Sequence, residues 1–156
     1  MPRLAARPLV HEPDPRHPVL GGGLGPYAHA VIGEPGGLTQ FGVHLEVLPS
    51  GSRSSFRHWH AAEDEMIYLI AGELVLIEEE ESLLRPGDAA CWPAGKPVGH
   101  CLENRSAVEA RYLVVGTRGA ADVIHYPDHG LITEREGTKR RYLRPDGLDH
   151  TERSFS

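Results

Sequence analysis

The chain has 156 residues, of which 40% are hydrophobic and 24% charged, and its formal net charge is −6 at pH 7. This length and composition predict one globular domain with a substantial core. The negative charge argues against a nucleic-acid-binding surface, which needs a basic face, and no apolar stretch has the length required to cross a bilayer.

The N-terminal segment, residues 1–39, is rich in proline and glycine, as in "HEPDPRHPVLGGGLGPY". This composition predicts an extended arm of loops and short strands. The segment has no apolar signal-peptide region, so we expect a cytoplasmic protein. The 18 glycines and 13 prolines of the chain favour short strands joined by tight turns over helices.

Residues 40–117 show the short apolar runs of an antiparallel β-protein. The stretch "QFGVHLEVLP" (40–49) alternates apolar residues with His44 and Glu46, which predicts a half-buried strand with these two side chains on its outer surface. The run "EMIYLIAGELVLIEE" (65–79) predicts two strands around a tight turn at Ala71-Gly72.

The next stretch, "EESLLRPGDAACWPAG" (80–95), predicts a short strand, a turn, and a strand ending at Pro93. The sequence "GHCLENRSAVEARYLVVGT" (99–117) predicts a hairpin across Asn104-Arg105-Ser106. The polar segment 118–156 receives no secondary-structure assignment and is expected to pack on the barrel as an extension. Together the strands predict an all-β antiparallel sandwich or barrel.

One short stretch, "HWHAAEDE" (58–65), carries two histidines and three acids. On a strand His58 and His60 point to the same side, as two ligands of one metal ion would. Glu65 lies on the same strand face as Ile67 and Leu69, the expected interior positions of the next strand. It is therefore the acid expected to join the two histidines. The neighbouring acids 63 and 64 are expected in the turn, and by itself the stretch also fits solvated turn residues.

A second stretch, "PGDAACWPAGKPVGHCLEN" (86–104), adds the strand-borne His100. With "GSRSSFRHWHAAEDEMIYLIAGEL" (51–74), it resembles the two sequence motifs of the cupin superfamily. The matching positions are Gly51, His58, His60, Glu65 and Gly72 in the first motif, and Gly87, Pro93, Gly95, His100 and Asn104 in the second. The loop spacers before His58 and before His100 are longer than in the common pattern.

The resemblance implies a jelly-roll barrel, an antiparallel double-stranded β-helix, over residues 40–117. It also implies that His58, His60, Glu65 and His100 bind one divalent transition metal inside this barrel. Zn, Fe, Mn, Ni and Co all suit three imidazoles and a carboxylate. Gly72 and Gly87 would form turns, and Asn104 would support the fold.

Three functions are compatible with such a site. The first is a metal-dependent isomerase or epimerase of a sugar or sugar phosphate, a provisional label that small bacterial cupins of this type often carry. The second is an Fe(II)-dependent dioxygenase, and the third is a non-catalytic module that binds or senses a small molecule. A homodimer is expected, with the N-terminal arm of one copy pairing with an edge strand of the other.

Other side chains receive simpler interpretations. Tyr68 should face away from the metal, and Trp92 should lie in the core. Cys91 and Cys101 are expected to be small buried hydrophobes. A cluster of cations at the barrel mouth would favour a sugar phosphate; the candidates are Arg53, Arg57 and Lys96, although each is expected to be an ordinary surface cation.

Overall fold

In a computed structural model, residues 3–150 are described; residues 1–2 and 151–156, parts of the expected arm and extension, lie outside the described residues. The described residues form β-strands joined by turns and loops. Among them, no helix is long and apolar enough to cross a membrane. The strands are β1 Val10–Glu12, β2 Tyr27–Val31, β3 Phe41–Leu48, β4 Trp59–His60, β5 Glu65–Ala71, β6 Leu74–Ile77, β7 Glu81–Leu84, β8 Ala89–Trp92, β9 Cys101–Glu103, β10 Ala110–Thr117, β11 Ala121–Tyr126, β12 Leu131–Glu136 and β13 Lys139–Leu143.

The strands form three sheets in which every pair is antiparallel. The six-stranded sheet has the order β1-β2-β3-β10-β5-β8, the four-stranded sheet β13-β12-β11-β4, and the three-stranded sheet β7-β6-β9. The two smaller sheets lie opposite the large one and close a jelly-roll barrel. The all-β antiparallel fold expected from the sequence is confirmed.

The hydrophobic core fills one end of this barrel, between the six-stranded and three-stranded sheets. Leu48, Leu69 and Tyr112 enter it from the large sheet, and Leu74 and Leu102 enter it from the small one. Each of these side chains is at most 3% exposed, so this end of the barrel is closed to solvent. The opposite end, beside the four-stranded sheet, is polar and open.

Glycine turns move the chain between sheets at the positions that the two motifs indicate. Gly72 has a φ of +84°, and a Cβ there would lie 2.7 Å from the carbonyl oxygen of Glu109. Only glycine fits this turn, because both the backbone conformation and the available space exclude a side chain. The turn leads from β5 in the large sheet directly to β6 in the three-stranded sheet.

Asn104 stabilises the base of the barrel through its side-chain amide, which is fully buried. The amide nitrogen donates to the carbonyl oxygens of Leu48 and Val108, both at 2.8 Å. The amide oxygen accepts from the backbone N–H of Ser106 at 2.9 Å and from its hydroxyl at 2.7 Å. All four hydrogen-bonding positions of the amide are therefore used, as expected for a buried structural asparagine.

The interior positions of β5 and β8 are as predicted. Ile67 and Leu69 are buried in the core, Tyr68 is exposed, and Trp92 is only 6% exposed. Cys101 is buried as expected, whereas the prediction for Cys91 is wrong: its side chain is exposed at the opposite face of β8 from Trp92.

The predicted hairpin over 99–117 is also wrong. Strand β9 pairs with β6 in the three-stranded sheet, whereas β10 pairs with β3 and β5 in the large sheet. The turn at Asn104 is real, but it carries the chain across the barrel instead of folding it back on itself. Local turn residues cannot distinguish these two outcomes, because long-range pairing decides them.

The third error concerns β3, where the sequence placed His44 and Glu46 on the outer surface. Both side chains line the barrel interior, on the same face as the core residue Leu48. In register, Glu46 lies opposite Tyr112 of β10, whose hydroxyl donates to it at 2.7 Å. The apolar residues on the other face misled the prediction, since Val47 on that face is buried as well.

Candidate metal centre

The four side chains expected to bind a metal meet where the three sheets join. His58 and His100 face each other across a two-hydrogen-bond bridge, with N···O distances of 3.2 and 3.0 Å. His60 lies on β4 of the four-stranded sheet, and Glu65 lies on β5 of the six-stranded sheet. The structure thus brings together side chains that are up to 42 positions apart in the sequence.

Each imidazole is oriented by an acceptor at its Nδ1 atom. The carbonyl oxygens of Phe56 and Val98 lie 2.9 and 3.0 Å from the Nδ1 atoms of His58 and His100. The Nδ1 atom of His60 lies 2.6 Å from a carboxylate oxygen of Asp122. A proton held on each Nδ1 leaves Nε2 as the ligand atom, which is the arrangement found around metal-binding histidines.

The three Nε2 atoms converge on the carboxylate of Glu65. They lie 3.8, 3.0 and 2.8 Å from its oxygens, for His58, His60 and His100 respectively. Imidazole Nε2 and carboxylate oxygen both offer lone pairs, so this arrangement needs positive charge between them, as protons or as a metal ion. Two ligand atoms that each lie about 2.1 Å from one ion at right angles are about 3.0 Å apart, so the residues fit a divalent metal.

The same contacts perturb the ionisation of the cluster when no metal is bound. Burial acts to raise the pKa of the Glu65 carboxyl, but hydrogen bonds from the three imidazoles hold it well below its usual range. Burial acts to lower the pKa of His60, but Glu65 and Asp122 together raise it to about 9. The cluster therefore holds Glu65 as a carboxylate that attracts a cation.

Asp122 contacts this cluster and was missed by sequence reasoning. Its side chain is buried, and its second oxygen accepts from the backbone N–H of Ala62 at 2.9 Å. Ligand atoms of His60, Glu63 and Asp122 also lie within 4.8 Å of one another. Because Glu63 is already paired with Arg135 at 2.7 Å, we interpret this group as support for His60.

A cavity of about 570 Å³ opens from the cluster to the surface between the six-stranded and four-stranded sheets. Its lining includes the half-buried Glu65, His60 and Arg135, and the exposed Arg118 and Arg140. This volume is within the range of small-molecule sites.

None of the three cations considered from the sequence lines this cavity. Arg57 is held by Asp128 at 2.7 and 2.9 Å, and the Nε atom of Arg53 lies 3.8 Å from Glu103. Lys96 is exposed in the loop after β8. The cations at the mouth come instead from the segment after residue 117, which the sequence left unassigned.

Glu46 is a second carboxylate in the barrel interior. It lines the large cavity with His60 and Glu65, and also a smaller one of about 190 Å³ with His58 and His100. Within residues 3–150 it forms no ion pair with a cation; its described partner is the hydroxyl of Tyr112, which is buried. Burial raises the pKa of the Glu46 carboxyl, although the hydrogen bond from Tyr112 acts in the opposite direction.

Fold and site together define a small jelly-roll barrel with a cluster of three histidines and a glutamate in its interior. Residues 44–116 match the family model described as "Cupin domain". The chain belongs to the cupin superfamily, as its motifs suggested. Comparison with curated proteins finds no match.

Solved structures support this assignment. The chain is similar to a sugar phosphate isomerase of the cupin superfamily from Silicibacter pomeroyi, with 34% identity, a TM-score of 0.88, and coverage of 97% of this chain and 98% of the other. It is also similar to a provisionally named sugar phosphate isomerase from Acidithiobacillus ferrooxidans, with 25% identity, a TM-score of 0.75 and coverage of 79% of both chains. A polyketide cyclase from Streptomyces resistomycificus shares the fold at 22% identity and a TM-score of 0.53, over 60% of this chain and 66% of the other.

Proposed function

We propose that this protein is a metal-dependent enzyme that isomerises or epimerises a small hydroxylated carbonyl compound, such as a sugar or sugar phosphate. The observation that carries the proposal is the convergence of three Nε2 atoms on Glu65 in the lining of a cavity that also exposes Glu46. A half-buried carboxylate next to a metal site can transfer a proton while the metal stabilises the oxyanion that forms.

His58, His60, Glu65 and His100 would hold the ion, and three neutral imidazoles with one carboxylate leave a divalent ion a net charge near +1. Such an ion would polarise the carbonyl and hydroxyl oxygens of the substrate and stabilise an enediolate. Zn, Fe(II), Mn, Ni and Co all accept this borderline ligand set.

Glu46 is the group we assign to proton transfer. As a carboxylate it would take the proton from the carbon next to the substrate carbonyl, and as the acid it would return that proton to the carbonyl carbon. The hydroxyl proton of the first carbon would pass to the former carbonyl oxygen, so that no proton is gained or lost. Burial raises its pKa, so the protonated form of this carboxyl is more accessible than that of a carboxyl in water. The Tyr112 hydroxyl keeps the carboxyl oriented in either state.

Two similar proteins that are named sugar phosphate isomerases support this proposal. The homodimer and the cytoplasmic location expected from the sequence stay predictions.

The first test is metal analysis of protein purified without chelators. We expect about one equivalent of a transition metal in the parent and close to none in a His58→Ala, His60→Ala double variant. A parent with no metal would contradict the proposal.

The second test follows deuterium exchange from D₂O into a panel of aldose and ketose phosphates by ¹H NMR. We expect exchange next to the carbonyl carbon with the parent, and loss of at least tenfold in rate with Glu46→Gln at unchanged metal content. Glu109→Gln, an exposed carboxylate, is the matched control. Bound iron with oxygen uptake and no exchange would instead favour the dioxygenase, and metal with neither reaction would favour a binding module.

A further inference from the structure

Arg118 lies at the cavity mouth in a position that a glycine makes possible. It follows β10, and its backbone N–H donates to the carbonyl oxygen of Gln40 at 3.0 Å. Its guanidinium lies across Gly42 of β3: a Cβ on Gly42 would be 2.7 Å from the Nε atom and 3.0 Å from Cζ. Any side chain at position 42 would therefore displace the guanidinium.

The partner of Arg118 inside the cavity is an imidazole. Its Nη2 atom lies 3.4 Å from the Nε2 atom of His44. Burial, with the adjacent Arg118 charge, lowers the pKa of His44, so this imidazole is neutral at physiological pH and brings no competing charge. Within residues 3–150, Arg118 forms no ion pair with a carboxylate, unlike Arg57 and Arg135.

The backbone register separates Arg118 from the Glu65 cluster by a strip of sheet that carries no side chains. Gly42, Gly116 and Glu65 are direct neighbours on β3, β10 and β5, so two glycines occupy the row next to Glu65. Two strand spacings separate Gly42 from Glu65, which is roughly 10 Å of backbone. The space over the glycines is part of the 570 Å³ cavity.

We propose that Arg118, seated over Gly42 and beside His44, binds the phosphate or carboxylate group of a substrate whose other end reaches the Glu65 cluster. The inference rests on the proposed function, because the cluster defines the reacting end of the substrate. An arginine offers parallel N–H donors that match an oxyanion, and here no carboxylate of the described residues occupies them. The substrate class is therefore a small anionic sugar derivative.

The test measures binding of inorganic phosphate, ribose 5-phosphate and ribose to the metal-loaded protein by calorimetry. For Arg118→Gln we expect the affinity for both phosphates to fall on the order of tenfold or more, with ribose binding and metal content unchanged. Arg118→Lys should retain part of the affinity, since it keeps the charge without the planar fork.

Two further variants make the result specific. Gly42→Ala leaves the arginine in the sequence but forces its guanidinium to move, so we expect it to weaken phosphate binding in the same direction. Arg111→Gln removes an arginine of β10 that faces outward and pairs with Glu109, and should leave binding unchanged.

The proposal is overturned if Arg118→Gln binds both phosphates as the parent does, if Arg111→Gln loses as much affinity, or if the parent binds neither phosphate better than ribose. A parent that binds phosphate through Arg118 but holds no metal would contradict the proposed function and leave the anion site standing.

Discussion

Replacing Asp122 by Asn tests whether the carboxylate behind His60 controls metal binding. Both partners of Asp122 are N–H donors, the backbone of Ala62 at 2.9 Å and the Nδ1 atom of His60 at 2.6 Å. An amide of the same shape can accept only one of these hydrogen bonds with its oxygen, because its nitrogen is itself a donor. Either the Ala62 N–H loses its acceptor, or His60 moves its proton to Nε2 and can no longer bind a metal there.

Loss of such a partner costs about 10- to 100-fold in metal affinity, or about 1.4–2.7 kcal/mol. We expect this decrease for Asp122→Asn, measured with Zn²⁺ in competition with a chelator of known affinity. Asp146→Asn is the control, since Asp146 is an exposed acid of the same C-terminal segment, paired with Arg144. If Asp122→Asn held Zn²⁺ within twofold of the parent, the proposed role of this hydrogen bond would be refuted.

Two further outcomes follow from the same structure. In the metal-free protein the folded pKa of His60 is about 9, above its unfolded value of 6.5. The protonated imidazole therefore stabilises the fold fully below pH 6.5, and this contribution is lost as pH rises through 9. Urea unfolding of the metal-free protein should therefore show a lower midpoint at pH 9.5 than at pH 6. Metal affinity should rise over the same interval, because the metal no longer competes with the proton on His60. A metal affinity that falls would contradict this. Asn104→Ala should lower the free energy of unfolding by roughly 2–4 kcal/mol, because it leaves two carbonyl oxygens without their donor, and a change below about 1 kcal/mol in urea denaturation would show that the amide is dispensable.

The sequence predicted the all-β fold from local patterns, whereas the full set of four candidate ligands came from its resemblance to the cupin motifs. The spacing of His58 and His60 on one strand, and the parity of Glu65 with Ile67, are read directly from neighbouring residues. The motif glycines at 72 and 87 also have positive φ angles, a conformation that glycine adopts without strain.

Long-range pairing explains what the sequence could not give. Glu46 and His44 were assigned to the surface because apolar residues occupy the alternate positions of β3, yet both faces of this strand are covered. Their position inside the barrel follows from the pairing of β3 with β10, more than 60 residues away. Asp122 had one usable signal: it shares strand parity with the buried Ile124, so an acid stands on the apolar side of "ADVIHY".

The position of Asp122 after the family-matched segment has a consequence for engineering. The four proposed ligands fall within residues 44–116, whereas the partner of His60 Nδ1 comes from β11. A minimal barrel cut to residues 44–116 would retain all four proposed ligands. It would lose Asp122, which holds the proton of His60 on Nδ1. Transplanting the two motifs into another scaffold would need a strand equivalent to β11 to be carried along with them.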